Sequence, residues 1–282
     1  MSAQHVRRGV VVTGASSGIG EGAALGLAQA GFVVFAGFRS AADGQRMAAL
    51  HANIQPIRLD VADRESIKTA CSHVLSSGVS LYGLVNNAGI AIGGPVEFLP
   101  IEEWRRLFDV NVFGALMATQ AFLQQLRAHR GRIVFIGSIS GRLAAPFLAP
   151  YSASKFALRA IADALRMEVG PGGVFVSIVE PGSVTTPIWS KGRQSRGQME
   201  QLLGAQGIAL YGSDLLDLLR ASELQERIGM PVERVTQAIV HALTARWPKT
   251  HYLVGSRLAS AASHLPATLR DRHVFGRKRR AK

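Results

Sequence analysis

A tyrosine and a lysine four residues apart, Tyr151-Ser-Ala-Ser-Lys155, form the pair in this chain best suited to move a proton. On a helix, positions i and i+4 share one face, so the ammonium would lie beside the phenol. At about 4 Å and an effective dielectric of about 20, that charge favours the phenolate by ~4 kcal/mol, roughly three pKa units. Desolvation opposes part of this, and the sum predicts a phenol near pKa ~7–8, able to trade protons at working pH. The plain alternative is an ordinary tyrosine and lysine on a surface helix. Upstream, Gly137-Ser138-Ile-Ser140 follows an apolar run. That puts a hydroxyl at the C-terminal end of a strand, the edge where open α/β sheets bind ligands. A serine in a turn is its commoner fate. Asn86-Asn87-Ala88-Gly89 closes another apolar run, and Asn111 falls inside a helical pattern between apolar neighbours. Asparagine is mildly unfavourable there, which points to a specific hydrogen bond.

A second group of residues suits an anion. Thr13-Gly14-Ala-Ser16-Ser17-Gly18-Ile19-Gly20 stands between the first strand pattern and the first helix pattern. Glycines there let the chain turn tightly and bring its backbone against a pyrophosphate, while the helix N-terminus presents free N–H groups and a positive dipole end. A Walker loop needs Gly-Lys-Ser/Thr at its end, but Gly20 is followed by Glu21. The hydrolase elbow G-x-S-x-G fits Gly14-Ala-Ser16-Ser-Gly18 in the same setting, so this segment alone leaves it open. That reading would leave the tyrosine–lysine pair unexplained. A fold that binds NAD usually offers an acid about 20 residues further on. Ala36-Gly37-Phe38-Arg39-Ser40 has none. Arg39 can instead meet a 2′-phosphate through charge-assisted hydrogen bonds, which favours NADP(H) over NAD(H). The alternative is an exposed arginine at a strand end.

The elements that must carry these groups are legible as alternating periods. Strands are predicted at Gly9–Thr13, Phe32–Ala36, Ile54–Leu59, Tyr82–Val85, Arg132–Ile136, Val174–Val179 and Tyr252–Val254. Helices are predicted at Ser17–Ala30, Asp63–Ser77, Ile101–Ala128, Tyr151–Val169 and Val232–Ala245. After Pro181 the rhythm breaks into a loop-like Ser190–Gly197 and a Leu-rich stretch, Met199 to Ile228. Strands spaced by helices predict a doubly wound α/β fold of Rossmann type, a parallel sheet with helices on both faces, in a single domain over residues 1–282. The 282 residues are 48% apolar and 18% charged, enough for a core and unlike a disordered chain. Cys71, the one cysteine, excludes an intramolecular disulfide and a cysteine-built zinc site, and it reads as a small core residue. The 8 histidines show no metal spacing. Neither a transmembrane run nor a signal-peptide core is apparent, which predicts a cytoplasmic protein. The net charge of +13 is partly a basic tail, 276–282. With no interleaved aromatics, nucleic acid is not expected as a partner, while peripheral membrane contact stays open.

Taken together, the ordered strings resemble the short-chain dehydrogenase/reductase family in its single-domain branch. They are Thr13 to Gly20, Leu59-Asp60-Val61, Asn86 to Gly89, Asn111, Ser138, Tyr151-x-x-x-Lys155 and Pro181-Gly182, within roughly residues 8 to 255. The resemblance implies interconversion of a carbonyl and an alcohol by hydride transfer, with Tyr151 as the acid/base and Ser138 polarising the substrate oxygen. Lys155 would lower the tyrosine pKa and bind the nicotinamide ribose, and Asn111 would hold a water in a proton relay. Gly14, Ser17, Gly18, Ile19, Gly20, Ala88, Gly89, Pro181 and Gly182 would form the coenzyme cradle. Asp60 and Val61 would flank the adenine, Asn87 would lie near its ribose, and Val184 and Thr186 would hold the carboxamide. Ser16 and Arg39 would take the 2′-phosphate. A lipophilic substrate, a lid over 187–228 and a homodimer or homotetramer complete the expectation. The rival from another class is a non-catalytic dinucleotide-binding regulator whose basic tail contacts nucleic acid or membrane. An intact Asn111, Ser138, Tyr151 and Lys155 argues against it.

Overall fold

Seven short apolar runs pair side by side in the computed structural model, which describes residues 7–188, 196–255 and 257–269. They are β1 (Arg8–Val12), β2 (Val33–Phe38), β3 (Ile54–Arg58), β4 (Ser80–Asn86), β5 (Arg132–Ile136), β6 (Phe175–Pro181) and β7 (His251–Val254), in the order β3-β2-β1-β4-β5-β6-β7. Every pairing is parallel. Parallel neighbours need long crossovers, and helices supply them: α1 (Gly18–Gln29), α2 (Ala41–Ala48), α3 (Arg64–Ser76), α4 (Ile101–Phe108), α5 (Ala115–Ala128), α6 (Ala149–Val169), α7 (Arg196–Ile228), α8 (Val232–Thr244) and α9 (Arg257–Ala262).

The period-2 alternation of β1 divides the core between the two faces. Val10 and Val12 join Leu27, Val34 and Ile239 on one side, while Val11 joins Phe35, Phe122, Phe135 and Leu158 on the other. With both faces covered, the central strands are apolar in their middles, residues 10–12 of β1, Leu84 and Val85 of β4 and residues 133–136 of β5 all being buried. Cys71 on α3 is half-buried against the second cluster, its Sγ 3.3 Å from the Ala121 carbonyl, and burial pushes its thiol up. Chain order reverses between β1 and β4, so the connections leaving their C-terminal ends run to opposite faces of the sheet and frame a crevice, the usual ligand position in such sheets.

Three departures from the sequence expectation have physical causes. The predicted helix Ile101–Ala128 is broken by a π-helical turn, Asp109–Gly114, and Asn111 sits in it. Asn111 Oδ1 accepts from Ile90 N at 2.8 Å and Nδ2 donates to Ile90 O at 2.9 Å, so a long-range bond sets the irregular turn. The helix α2 has no apolar periodicity to predict it, since only Gly44 and Met47 of it are buried; it is N-capped by Ser40, whose Oγ accepts from Asp43 N at 3.2 Å. The Leu-rich stretch is α7, interrupted at Gly204 with φ 62° and ψ −178°. Arg196 and Gly197, predicted as loop, begin α7; 190–195 and the tail 276–282 lie outside the described residues.

Candidate active site

The two loops at the crevice are laced to each other. Thr13, buried at the end of β1, accepts at Oγ1 from the N–H groups of Asn87 and Ala88, both at 3.0 Å. Asn87 Nδ2 donates back to the carbonyls of Thr13 at 3.0 Å and Gly14 at 2.9 Å. Gly14 has φ 62°, and a Cβ there would stand 2.8 Å from Ala88 Cα, so both conformation and space demand glycine. Gly20 lies beneath this turn, facing Gly14 O and the Asn87 amide. The helix α1 opens at Gly18 behind an extended Ser17 that makes no side-chain cap bond, and its N-terminal N–H groups are available to an anion.

From that turn a cleft of about 500 Å³ runs across the C-terminal edge of the sheet. Gly14, Ser16, Ser17, Gly18 and Ile19 line one end with Arg39, Asp60 and Val61. Asn87, Ala88 and Gly89 line the middle; Ser138, Tyr151, Lys155, Pro181, Gly182, Val184 and Thr186 line the other end. Every predicted cofactor position except Gly20, and three of the four predicted catalytic positions, therefore meet in one cavity. Gly20 and Asn111 stand behind the wall. Arg39 is exposed at the rim. A turn with a positive-φ glycine, a helix N-terminus, a rim arginine and a buried lysine fit an elongated anionic dinucleotide.

The proton-bearing groups come from two elements. Ser138 N-caps the short turn Ile139–Gly141, its Oγ accepting from Ser140 N at 3.1 Å. Tyr151 and Lys155 lie on the first turns of α6, and both are buried. Lys155 Nζ donates to Ile136 O at 2.9 Å and stands 5.7 Å from the centre of the Tyr151 ring. The electrostatics invert the sequence expectation. Burial pushes the Tyr151 phenol above its ordinary value, against a smaller downward pull from its hydrogen bond with Ser138. Burial also lowers Lys155 from 10.5 to about 8. Desolvation disfavours both charged forms, and it outweighs the mutual attraction expected from the i, i+4 spacing. Asn111 Nδ2 also donates to Ser154 Oγ at 3.1 Å, which ties the π turn to α6 one residue from Lys155.

Beyond Tyr151 the wall turns apolar through Ile90, Leu143, Ala145, Leu148, Pro187 and Ile188, of which the sequence pointed only to the last two, as the start of the expected lid. For the other four the only sequence signal was proximity to Gly89 and Ser138. The leucines of α7 lie elsewhere: Leu203 and Leu215 pack with Phe98, Phe147 and Tyr211, outside the cleft lining. Tyr211 donates to Glu97 at 3.0 Å and meets the Phe98 and Phe147 rings edge-on. The short link between α7 and α8 reaches the site by backbone, since Met230 N donates to Ser183 O at 2.9 Å and Thr185 N to Met230 O at 3.0 Å.

Comparison with known sequences decides the family. Residues 8–197 match the profile described as short chain dehydrogenase. The chain belongs to the short-chain dehydrogenase/reductase family. Human retinol dehydrogenase 5 is 38% identical over 287 residues, 93% of this chain and 86% of the relative. The NADPH-dependent 3-dehydrocapnine reductase of Ornithobacterium rhinotracheale is 35% identical over 258 residues, 89% of each. A short-chain dehydrogenase structure from Streptomyces avermitilis superposes with TM-score 0.76 at 29% identity, covering 95% of this chain and 96% of that one. As a family member the chain is an oxidoreductase of the alcohol–carbonyl couple that uses a nicotinamide dinucleotide.

Proposed function

We propose that the protein is an NADP(H)-preferring carbonyl/alcohol oxidoreductase acting on a lipophilic substrate, with Tyr151 as its acid/base. The observation that carries this reading is the convergence, in one cleft, of the Gly14 turn, Arg39, and the buried trio Ser138, Tyr151 and Lys155. The bound dinucleotide supplies or accepts the hydride, and the remaining work falls to the chain. In reduction, Ser138 Oγ and Tyr151 Oη donate hydrogen bonds to the substrate oxygen, and the phenol gives it a proton as the carbonyl carbon gains the hydride. Oxidation runs the same transfers backwards. A phenol kept neutral by burial starts in the state reduction needs. Lys155 binds the nicotinamide ribose and neutralises the phenolate left behind. Asn111, its Nδ2 committed to Ile90 and Ser154, holds the π turn in which the proton-relay water would sit.

Arg39 and Ser16 recognise the 2′-phosphate, in keeping with the NADPH-dependent relative. Asp60 and Val61 bracket the adenine, Asn87 its ribose, and Val184 and Thr186 the carboxamide. The apolar wall from Ile90 to Ile188 and the likeness to a retinol dehydrogenase support a lipophilic substrate. The lid begins at Pro187 and Ile188, which line the cleft, while its α7 leucines pack around Tyr211; closing those leucines over Tyr151 when substrate binds completes the roof. Exposed Phe113 and Phe156 support self-association as a homodimer or homotetramer, and the reading places the protein in the cytoplasm. No helix among the described residues is long and apolar enough to cross a membrane.

The test follows NADPH and NADH absorbance with purified protein against alkanals and ketones graded by size. Faster turnover with NADPH, and kcat/KM rising with apolar bulk by about 0.8 kcal/mol per buried methylene, are expected. Preference for NADH or for small charged carbonyls overturns the reading.

A further inference from the structure

Three elements that carry the proposed catalytic and nicotinamide-binding groups meet around a buried carboxylate the reaction itself does not use. Glu180 is the residue before Pro181, and its side chain is 1% exposed. Its carboxylate accepts a bidentate pair of hydrogen bonds from Arg142, Nε to Oε1 at 2.8 Å and Nη2 to Oε2 at 2.6 Å. Arg142 closes the turn that begins at Ser138, its N–H donating to Ile139 O at 2.9 Å, and the next residue, Leu143, lines the cleft. His251 on β7 reaches Glu180 Oε2 through Nδ1 at 3.0 Å and Asp163 Oδ1 through Nε2 at 3.1 Å. Asp163 lies on α6, the helix of Tyr151 and Lys155. Arg159, on the same helix, stands 3.9 Å from Glu180 Oε1.

Such a pair is a poor way to gain stability. Taking both charges out of water costs about what their attraction returns, and apolar residues of the same volume often serve as well or better. A planar guanidinium on a carboxylate instead adds direction, because two parallel bonds fix both position and rotation. The elements so fixed are the Ser138 turn, the end of β6 that leads into Pro181–Thr186, and α6. Serine hydroxyl, phenol and nicotinamide segment must agree in placement for one proton and one hydride to reach the same carbonyl. A displacement of about 1 Å there can cost about 100-fold in rate.

We propose that Arg142 and Glu180 are positioning residues: their bidentate pair, steadied by His251 and Asp163, holds Ser138 and Tyr151 in register with the Pro181–Thr186 segment. The assignment rests on the functional reading above, in which those groups act on the substrate oxygen.

The test uses Glu180→Gln, Arg142→Lys and the double variant Arg142→Met with Glu180→Leu, beside wild type and Tyr151→Phe. Readouts are Tm, NADPH affinity from its fluorescence, and kcat and KM on the best substrate of the carbonyl panel. Glu180→Gln and Arg142→Lys should lose about tenfold or more in kcat, while NADPH Kd stays within about threefold. The lysine keeps the charge and loses the fork, so its failure to rescue marks geometry. The double variant should recover Tm without recovering kcat. If Glu180→Gln does not fold, the double variant decides. A double variant, or a folded Glu180→Gln, with kcat within about threefold of wild type overturns the assignment. If Tyr151→Phe also keeps wild-type kcat, the acid/base reading falls and this assignment with it. If Tyr151→Phe is inactive while the paired variants are unimpaired, only the positioning role fails.

Discussion

The ammonium of Lys155 stands 5.7 Å from the centre of the Tyr151 ring and spends a hydrogen bond on the carbonyl of Ile136 at 2.9 Å. The two side chains share a helix face, as their spacing requires, yet burial sets their proton affinities. A lysine lowered to about 8 makes the free protein pay for its charge at neutral pH.

That cost gives a stability prediction with a definite sign. The folded-state pKa of Lys155, about 8, lies below the ordinary 10.5, so between these values the unfolded chain holds more protons. Stability from this group is lowest below pH 8 and rises as pH goes from 8 towards 10.5, by up to about 3 kcal/mol. Tyr151, shifted upward, opposes this only above its ordinary 10.0, where the folded state keeps a proton the unfolded chain has lost. Urea unfolding of wild type and Lys155→Met between pH 8 and 10 reads the difference. A wild-type curve parallel to that of the methionine variant would contradict the burial argument.

Tyr151→Phe deletes the transferable proton and keeps the ring, so kcat should fall by orders of magnitude. NADPH affinity should stay near wild type, because the Gly14 turn and Lys155 remain. More than about a tenth of wild-type kcat retained in the phenylalanine variant would end the acid/base assignment.

Arg39→Ala removes a charged partner at the open rim of the cleft. A hydrogen bond to phosphate is worth ~1.5–3 kcal/mol, so NADPH Kd should rise roughly tenfold or more while NADH Kd changes little. Titration of both coenzymes by fluorescence checks it. Equal weakening of the two would remove Arg39 as the discriminator, and Asp43 would be the next residue to test.

At Gly204, φ of 62° with ψ of −178° is a conformation that side chains avoid, although open space surrounds the position where a Cβ would point. Gly204→Ala should therefore cost about 1–3 kcal/mol of local strain rather than a clash, biasing α7 towards a straight helix. Raised KM for apolar substrates with unchanged NADPH affinity is the expected signature of a misplaced lid. If substrate KM does not move, α7 serves packing alone.

The alternation of strand and helix, the glycine turn after β1, Arg39 after β2 and the Tyr151–Lys155 spacing were all legible in the chain itself. Their physics is local: periodicity records which face is buried, turns demand particular residues, and i to i+4 neighbours share a face. Those signals located both ends of the cleft. Tertiary structure decided the rest. The direction of the Tyr151 shift depends on how much water the other elements exclude, which no spacing states. The π turn at Asn111 exists because Ile90, 21 residues away, takes its amide. The leucines of α7 have helical periodicity wherever they pack, and only contact with Phe98 and Phe147 shows that they rest off the cleft. The Arg142–Glu180–His251 cluster joins residues 38 and 109 positions from Arg142. Only the fold brings such charges together, and burial of Glu180 then requires that its charge be paired.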